Sequence, residues 1–304
     1  MKKLKPQKLK KGDTIGIISP SGSVRYLEKF EKAEEYFYKQ GFKTKIFTSA
    51  KNQNDYLAGT DKERLKDFEA AFLDEEVNAI LTSRGGYGAI KILNQINYDI
   101  IKNNPKIFCG YSDITAYHSA IYNKTGLITF HAPFALFDFG AEEIDSYTEE
   151  NFFNNLSQNN TNNKLKNAFD YDCINSGNVT GELIGGNLCT ILSLIGSSFE
   201  PSWQNKILFI EDVNEPLYKI DRMLSQLKLI GVFDKIKGLL VGKFSSADEI
   251  FHEKVKELLK EFEIPCGYGF SATHELAKNT LPLNIEYNID FKTGNVIITE
   301  EYLE

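Results

Sequence analysis

Positive charge is the minority sign in this 304-residue chain: 35 Lys and Arg stand against 42 Asp and Glu, a formal net charge of −7. A surface of that sign repels nucleic-acid phosphates and anionic lipid, so composition argues against nucleic-acid and membrane partners. Cysteine is scarce as well. Cys109, Cys173, Cys189 and Cys266 are scattered with no CxxC pair, which suits reduced, mostly buried thiols and excludes a disulfide framework or a cysteine zinc site. The four histidines, His118, His131, His252 and His274, show no HExxH or comparable ligand spacing, so metal chemistry has no support. No stretch approaches the roughly 18 to 20 apolar residues of a membrane helix. The basic start MKKLKPQKLKKGD runs into Asp13 and the Gly- and Pro-broken TIGIISPSG, where a signal peptide needs an unbroken apolar stretch. These absences together imply a cytoplasmic chain.

What is present reads as globular: 42% hydrophobic, 12% aromatic and 25% charged residues are far from the composition of disorder. At about 150 residues per domain the length suggests two. From Thr14 to Gly126 short β-branched runs (TIGIIS, KTKIFT, NAILTS, PKIFCGY) alternate with helical patterns, the signature of a largely parallel sheet covered by helices. In the first helix Leu27, Phe30, Ala33 and Phe37 recur at three- and four-residue steps before Gly41, so all four are expected on the buried face. The Asn-rich SQNNTNNKLKN is polar and aperiodic and marks a linker. The expected organisation is therefore a doubly wound layered domain over residues 1–150, a linker over 151–177 and a second domain over 178–304. In the last, GELIGGNL, KILFIEDV, KGLLVGKF, LNIEYNIDF and NVIITE supply strands. Helices are expected over 187–195, 218–229 and 248–262, with Phe251, Val255, Leu258 and Phe262 facing one core. The sequence contains no internal repeat.

Four places carry residues suited to chemistry. In KIFCGYSDITAYHSAIY a β-type run passes through Gly110, Tyr111, Ser112 and Asp113 directly into a helical pattern, so Ser112 occupies a sharp strand-to-helix turn. Such a turn exposes a nucleophilic hydroxyl beside free helix N–H groups. Ile114 departs from the GxSxG pattern, however, and the local sequence by itself fits better with Ser112 or Asp113 as a plain helix cap. LTSRGGYGA, residues 81–89, places three glycines after a strand; its backbone suits close approach to a ligand, although GGYG matches no phosphate-binding pattern, and a surface turn with Arg84 exposed is the plain alternative. KILFIEDVNE ends an apolar strand in Glu211 and Asp212, at a sheet edge where functional residues are common and solvated turn acids are too. His274 follows small residues in a loop-like stretch that lets a general base swing freely. His252 lies in a charged helix and reads as solvent-facing, His118 points away from Ser112, and His131 reads as structural.

Taken together, GYSDITAYH, SRGGYGA, GELIGGNL, ILFIEDVNEPLYKIDRMLSQL and the His274-plus-TLP segment resemble the LD-carboxypeptidases, the muramoyl-tetrapeptide carboxypeptidase family that also contains the microcin C immunity peptidases. The resemblance runs from about Lys11 to Glu286, with several motifs in the family's order. It implies an N-terminal flavodoxin-like domain with a parallel sheet, a C-terminal β-rich α/β domain, and an active site where they meet. It further implies Ser112 as nucleophile, Glu211 as acid and His274 as base, with an oxyanion hole formed by the N–H of Asp113 and that of Gly86 in preference to Gly85.

The implied activity is a cytoplasmic serine peptidase of cell-wall recycling, commonly a homodimer, that releases terminal D-alanine from muramoyl tetrapeptides without metal or organic cofactor. Arg84 is the candidate for holding the substrate's carboxylates. A microcin-type immunity peptidase is the rival within the family, and a noncatalytic flavin- or nucleotide-binding module the rival outside it. The family's usual glycines before the histidine and after TLP-x are replaced by Thr273 and Asn284, which alters the backbone freedom expected at both places.

Overall fold

The computed structural model describes residues 2–245 and 249–304. In the first half, strands β1 (Thr14–Ile18), β2 (Lys43–Ile46), β3 (Val77–Thr82), β4 (Ile107–Gly110) and β5 (Phe130–His131) alternate with helices. The helices are α1 (Glu28–Lys39), α2 (Asp61–Leu73), α3 (Ala89–Ile92), α4 (Tyr98–Asn103) and α5 (Thr115–Thr125). There follow α6 (Ser146–Ser157), β6 (Lys164–Leu165), β7 (Asp172–Asn175), β8 (Asn178–Asn187), α7 (Leu188–Leu192) and β9 (Ile207–Val213). The chain continues through α8 (Leu217–Leu229), β10 (Gly238–Ser245), α9 (Glu249–Leu259), β11 (Cys266–Phe270), β12 (Leu281–Pro282), β13 (Glu286–Asp290) and β14 (Asn295–Ile298).

The first sheet has the order β12-β5-β4-β3-β1-β2. Its strands β1 to β5 are parallel, as the alternating pattern expects, and their order 2-1-3-4-5 is that of flavodoxin-like folds. The second sheet has the order β6-β14-β13-β8-β9-β10-β11-β7, with β8, β9, β10 and β11 parallel at its centre and antiparallel strands outside. The two sheets share material. β12, from the second half, pairs antiparallel with β5, Leu281 opposite His131.

Period-2 alternation explains how one chain feeds three cores. On β9, Ile207 and Phe209 face a central cluster that also holds Ile15 and Ile17 of β1, Leu81 of β3 and Cys109 of β4, while Leu208 and Ile210 face a cluster with α7, α8 and α9. On β4, Ile107 and Cys109 join the central cluster and Phe108 the cluster under α2 and α5. The central cluster thus joins the inner faces of both sheets.

Several details differ from the sequence reading. The 151–177 stretch is not all linker: it holds most of α6, and β6 and β7 cap the two edges of the second sheet. Edge strands of two to four residues leave too short an alternation to register as strands. On α1, Phe30, Ala33 and Phe37 are buried as expected, but Leu27 caps the helix and is 47% exposed. Cys173 and Cys189 are exposed, so only two of the four thiols are buried. Val255 and Phe262 are buried with Phe251 and Leu258 packed against the same cluster, and the helix there begins at Glu249; Asp248 lies outside the described residues.

The two replaced glycines have different explanations. Asn284 adopts φ 63°, the left-handed region that Asn enters at less cost than other side chains. Thr273 stays out of that region, and its methyl is accommodated because Gly242 opposite carries no side chain: a first carbon there would lie 2.7 Å from Thr273 Cγ2. We expect Asn284→Ala to lower stability by about 1 kcal/mol and Asn284→Gly to cost less, read from denaturant midpoints. Equal losses would contradict the left-handed argument.

Candidate active site

Among the described residues Ser112 is one of six non-glycine residues with positive φ, at 60°. β4 delivers the chain at Gly110, Tyr111 remains extended, and the path reverses through a tight turn, Ser112–Ile114, into α5. A serine held in this sparsely populated region at a strand-to-helix junction has the geometry of a nucleophile elbow, and neither Ser112 nor Asp113 makes a side-chain cap bond at the turn into α5. Ile114 replaces the second glycine of the GxSxG pattern and packs fully buried under α5. The glycine loop after β3 lies directly on the turn. A side chain at Gly85 would place its first carbon 2.7 Å from Ser112 Cβ and 3.2 Å from Asp113 N, so that contact demands glycine. The Asp113 carboxylate accepts the Ala89 N–H at 2.9 Å and ties this loop to the elbow.

Glu211 and Asp212 are separated by the pleat of β9. Glu211 continues the line of Ile207 and Phe209, is fully buried, and its Oε2 accepts the His274 Nδ1–H at 2.6 Å. Asp212 turns to the opposite face, where it accepts from Asn187 Nδ2, the Cys189 N–H and its neighbour Val213 N–H, each at 2.9 Å. The other face of the His274 neighbourhood is Tyr111, whose ring meets the imidazole edge-on with centroids 4.9 Å apart. Since Tyr111 immediately precedes Ser112, the imidazole is held beside the elbow by the second sheet's acid and the first sheet's aromatic ring.

The loop that carries His274 does not swing freely. Ser271 donates its N–H to Asn167 Oδ1 at 2.7 Å, Lys278 N–H donates to Thr148 Oγ1 at 3.0 Å, and Lys278 Nζ pairs with Asp138 at 2.6 Å with both side chains buried. Removing one partner of such a buried pair costs about 3–5 kcal/mol, enough to fix a loop. Asp138 and Lys278 are 140 residues apart in sequence, so no local spacing connects them.

Two domain models matched in order along the chain decide the family. The model of the LD-carboxypeptidase N-terminal domain matches residues 15–132 and that of the LD-carboxypeptidase C-terminal domain residues 180–289. The chain belongs to the LD-carboxypeptidase family. Among its relatives is a probable murein peptide carboxypeptidase of Bacillus subtilis, 38% identical over 89% of this chain and 86% of that one. The microcin self-immunity protein MccF of Escherichia coli is 34% identical over 96% of this chain and 94% of its own. A solved muramoyltetrapeptide carboxypeptidase from Oxalobacter formigenes superposes with a TM-score of 0.83 at 26% identity, covering 96% of this chain and all of that one.

In this LD-carboxypeptidase-family chain the remaining histidines have structural surroundings. His118 is buried with Nε2 on the Gly110 carbonyl at 2.9 Å, and burial pushes it down to about 4. His131 packs between Tyr111 and Phe209. His252 is half-buried and its Nδ1 meets the Tyr268 hydroxyl at 2.6 Å, so it is not the solvent-facing residue its charged helix suggests. Arg84 does not line the 270 Å³ cleft over Ser112, which Asp113, Gly86, Tyr87 and Asp212 share. It lies in the adjoining cleft, joined to the first through Gly86 and Tyr87. Asp138 and Lys278 escaped the sequence reading, since no motif spacing marks them, and Tyr111, although inside GYSDITAYH, receives no role there because its contact with His274 is long-range. Among the described residues no group of three or more His, Cys, Asp or Glu could hold a metal ion, and no helix is long and apolar enough to cross a membrane.

Electrostatics separate the groups further. Burial pushes His274 down, but the Glu211 charge, its hydrogen bond and the Asp212 charge outweigh it, so the imidazole stands above its ordinary value of 6.5. Burial first, then the Glu211 charge, push Asp212 up to about 6. Because the folded chain binds the His274 proton more tightly than the unfolded one, this pairing stabilises fully below about pH 6.5 and is lost as pH rises through the folded value. Followed by NMR, the His274 ring is expected to titrate above 6.5, and in Glu211→Gln to fall below its native midpoint because burial then dominates. A midpoint unmoved by Glu211→Gln contradicts the coupling.

Proposed function

We propose that this chain is a serine peptidase that removes the terminal D-alanine from peptidoglycan-derived muramoyl tetrapeptides, acting through Ser112, His274 and Glu211. The observation that carries it is the hydrogen bond between Glu211 and His274 at 2.6 Å, set against the ring of Tyr111 beside the strained Ser112 turn. The naming of the Bacillus subtilis relative as a probable murein peptide carboxypeptidase supports the substrate class. A cytoplasmic location, a homodimeric state and a division that puts the nucleophile in the first half and the acid and base in the second belong to the same reading.

In this mechanism His274 Nε2 takes the proton of Ser112 Oγ as the oxygen bonds the scissile carbonyl carbon. Charge that develops on the carbonyl oxygen is met by the N–H groups of Asp113 and Gly86. The C–N bond then breaks, His274 returns the proton to the departing D-alanine amine, and a water activated by the same base hydrolyses the acyl-serine. Throughout, Glu211 fixes the imidazole tautomer and stabilises its cationic form.

The second reading, a microcin-type immunity peptidase, is favoured by fold similarity: a solved MccF structure superposes with a TM-score of 0.90 at 32% identity. The stretch SQLKLIGVFDKIKGLLVGKF, which leads from α8 into β10 after the EDVNE motif, favours the carboxypeptidase, because it leaves little room for an inserted loop.

Ser112→Ala is expected to abolish D-alanine release with the fold intact, since it removes the attacking oxygen and one small polar group. Glu211→Gln should lower kcat roughly 10²- to 10⁴-fold and Asp212→Asn far less. A substrate amidated at its C-terminus should lose roughly two orders of magnitude in kcat/KM, the scale of a lost charged hydrogen bond. Retained turnover in Ser112→Ala, or preference for an aminoacyl-adenylate analogue over the tetrapeptide, contradicts this assignment.

A further inference from the structure

The cleft that adjoins the candidate nucleophile holds two guanidinium groups without an acidic partner. Among the described residues the arginine found in an ion pair is Arg64, with Asp61. Arg84 makes one hydrogen bond, from Nη1 to the Ser23 carbonyl at 3.0 Å, and its Nε is buried without a partner. Its guanidinium is fixed over the Phe137 ring, 5.3 Å from the centroid. Burial and the nearby Arg25 charge both act against the Arg84 cation, as expected where two positive groups converge with no anion between them. Arg25 is exposed on the same wall. Asp55 also lines this cleft, but its side chain pairs with neither arginine and only its backbone carbonyl is engaged, by Ser23 Oγ at 3.2 Å.

The walls are aromatic. Tyr56 and Tyr87 lie with centroids 5.7 Å apart, both more than 40% exposed, and Phe137 is 43% exposed. The cleft has a volume of 760 Å³, larger than the 270 Å³ over Ser112, and Gly86 and Tyr87 line both. A glycine at position 22 permits this arrangement, since a first side-chain carbon there would lie 2.8 Å from the Gly85 carbonyl and 3.4 Å from Arg84 Nε. In a protein of net charge −7 these paired cations are a local exception.

We propose that Arg25 and Arg84 together bind a free carboxylate carried by the peptide substrate on the acyl side of the scissile bond, with Tyr56, Tyr87 and Phe137 holding the chain that presents it. This rests on the serine peptidase reading above. The side follows from size: the leaving group is a single alanine while the acyl part carries the other three residues, so a separate cleft of 760 Å³ that meets the Ser112 cleft at Gly86 and Tyr87 suits the acyl part. Substrate that lies over Ser112 and reaches Arg84 crosses Gly86. A guanidinium already anchored on one edge retains its other donors for an anion, and Arg25 supplies a second charge.

The test compares two tetrapeptides that differ at one acyl-side position, a free carboxylate in one and a carboxamide in the other. Wild-type protein is expected to favour the carboxylate roughly tenfold to a hundredfold in kcat/KM, mostly through KM, because the contact is made equally in ground and transition states. Arg25 is exposed, so Arg25→Gln leaves the fold intact, and it should shrink that preference to roughly threefold or less. No preference in the wild type, or the same preference in Arg25→Gln, overturns the proposal. Calorimetric binding of both peptides to Ser112→Ala separates the two readings. Preferential binding without turnover in the wild type keeps the carboxylate site and removes the peptidase, whereas turnover without preference keeps the peptidase and removes the site.

Discussion

A carboxylate with no exposure to solvent, Glu211, is tied to one imidazole, His274, and the arrangement of both halves follows from keeping that pair together. Burying an unpaired carboxylate costs several kcal/mol, so the partner has to be held in place by something firmer than a loose loop. The structure supplies this in two ways. β9 carries Glu211 at the carboxyl end of a central strand with parallel neighbours on both sides, and the His274 loop is strapped to the first half through Lys278, Asp138 and Thr148. β12, immediately after that loop, then pairs with β5 and closes the connection.

The elbow is the complementary constraint. Ser112 accepts a left-handed backbone because β4 and α5 are both anchored in cores, Phe108 and Ile114 in one, Cys109 in the other. Strain of order 1–3 kcal/mol at such a residue persists where its surroundings over-determine it. Tyr111 links the two constraints, stacked on Phe134 at 3.9 Å and edge-on to His274 at 4.9 Å. The stack fixes the ring within the first half and a shift of either half would move its contact with His274, so the distance between the elbow and the imidazole is set by packing that neither half makes alone.

Much of this was legible in the sequence where the signal is local. Strand runs such as TIGII and the strand-to-helix switch at Ser112 carry their own periodicity, and the three residues of the candidate triad sit in motifs that the family resemblance aligns. Local pattern alone leaves Glu211 and Asp212 undivided, and only the family resemblance singles out Glu211, because alternation names two faces without saying which one meets the histidine; in the structure Glu211 takes that face. What was illegible is long-range. Lys278 and Asp138 are ordinary surface residue types until the fold buries them together, and Leu27 satisfies a helical spacing yet lies before the first turn of α1. Asn284 looked like a departure and is explained only by its φ of 63°.

The proposed function requires Ser112, His274 and Glu211 to act as one unit. Members of such a unit are strongly non-additive, since once the nucleophile is gone its supporting groups have nothing left to assist. The most direct measurement is the residual kcat/KM for D-alanine release in Ser112→Ala, Glu211→Gln and the double variant. The account requires the double variant to match Ser112→Ala alone within about threefold. A further loss by the full factor that Glu211→Gln causes in the native background would show the two residues acting independently and contradict it.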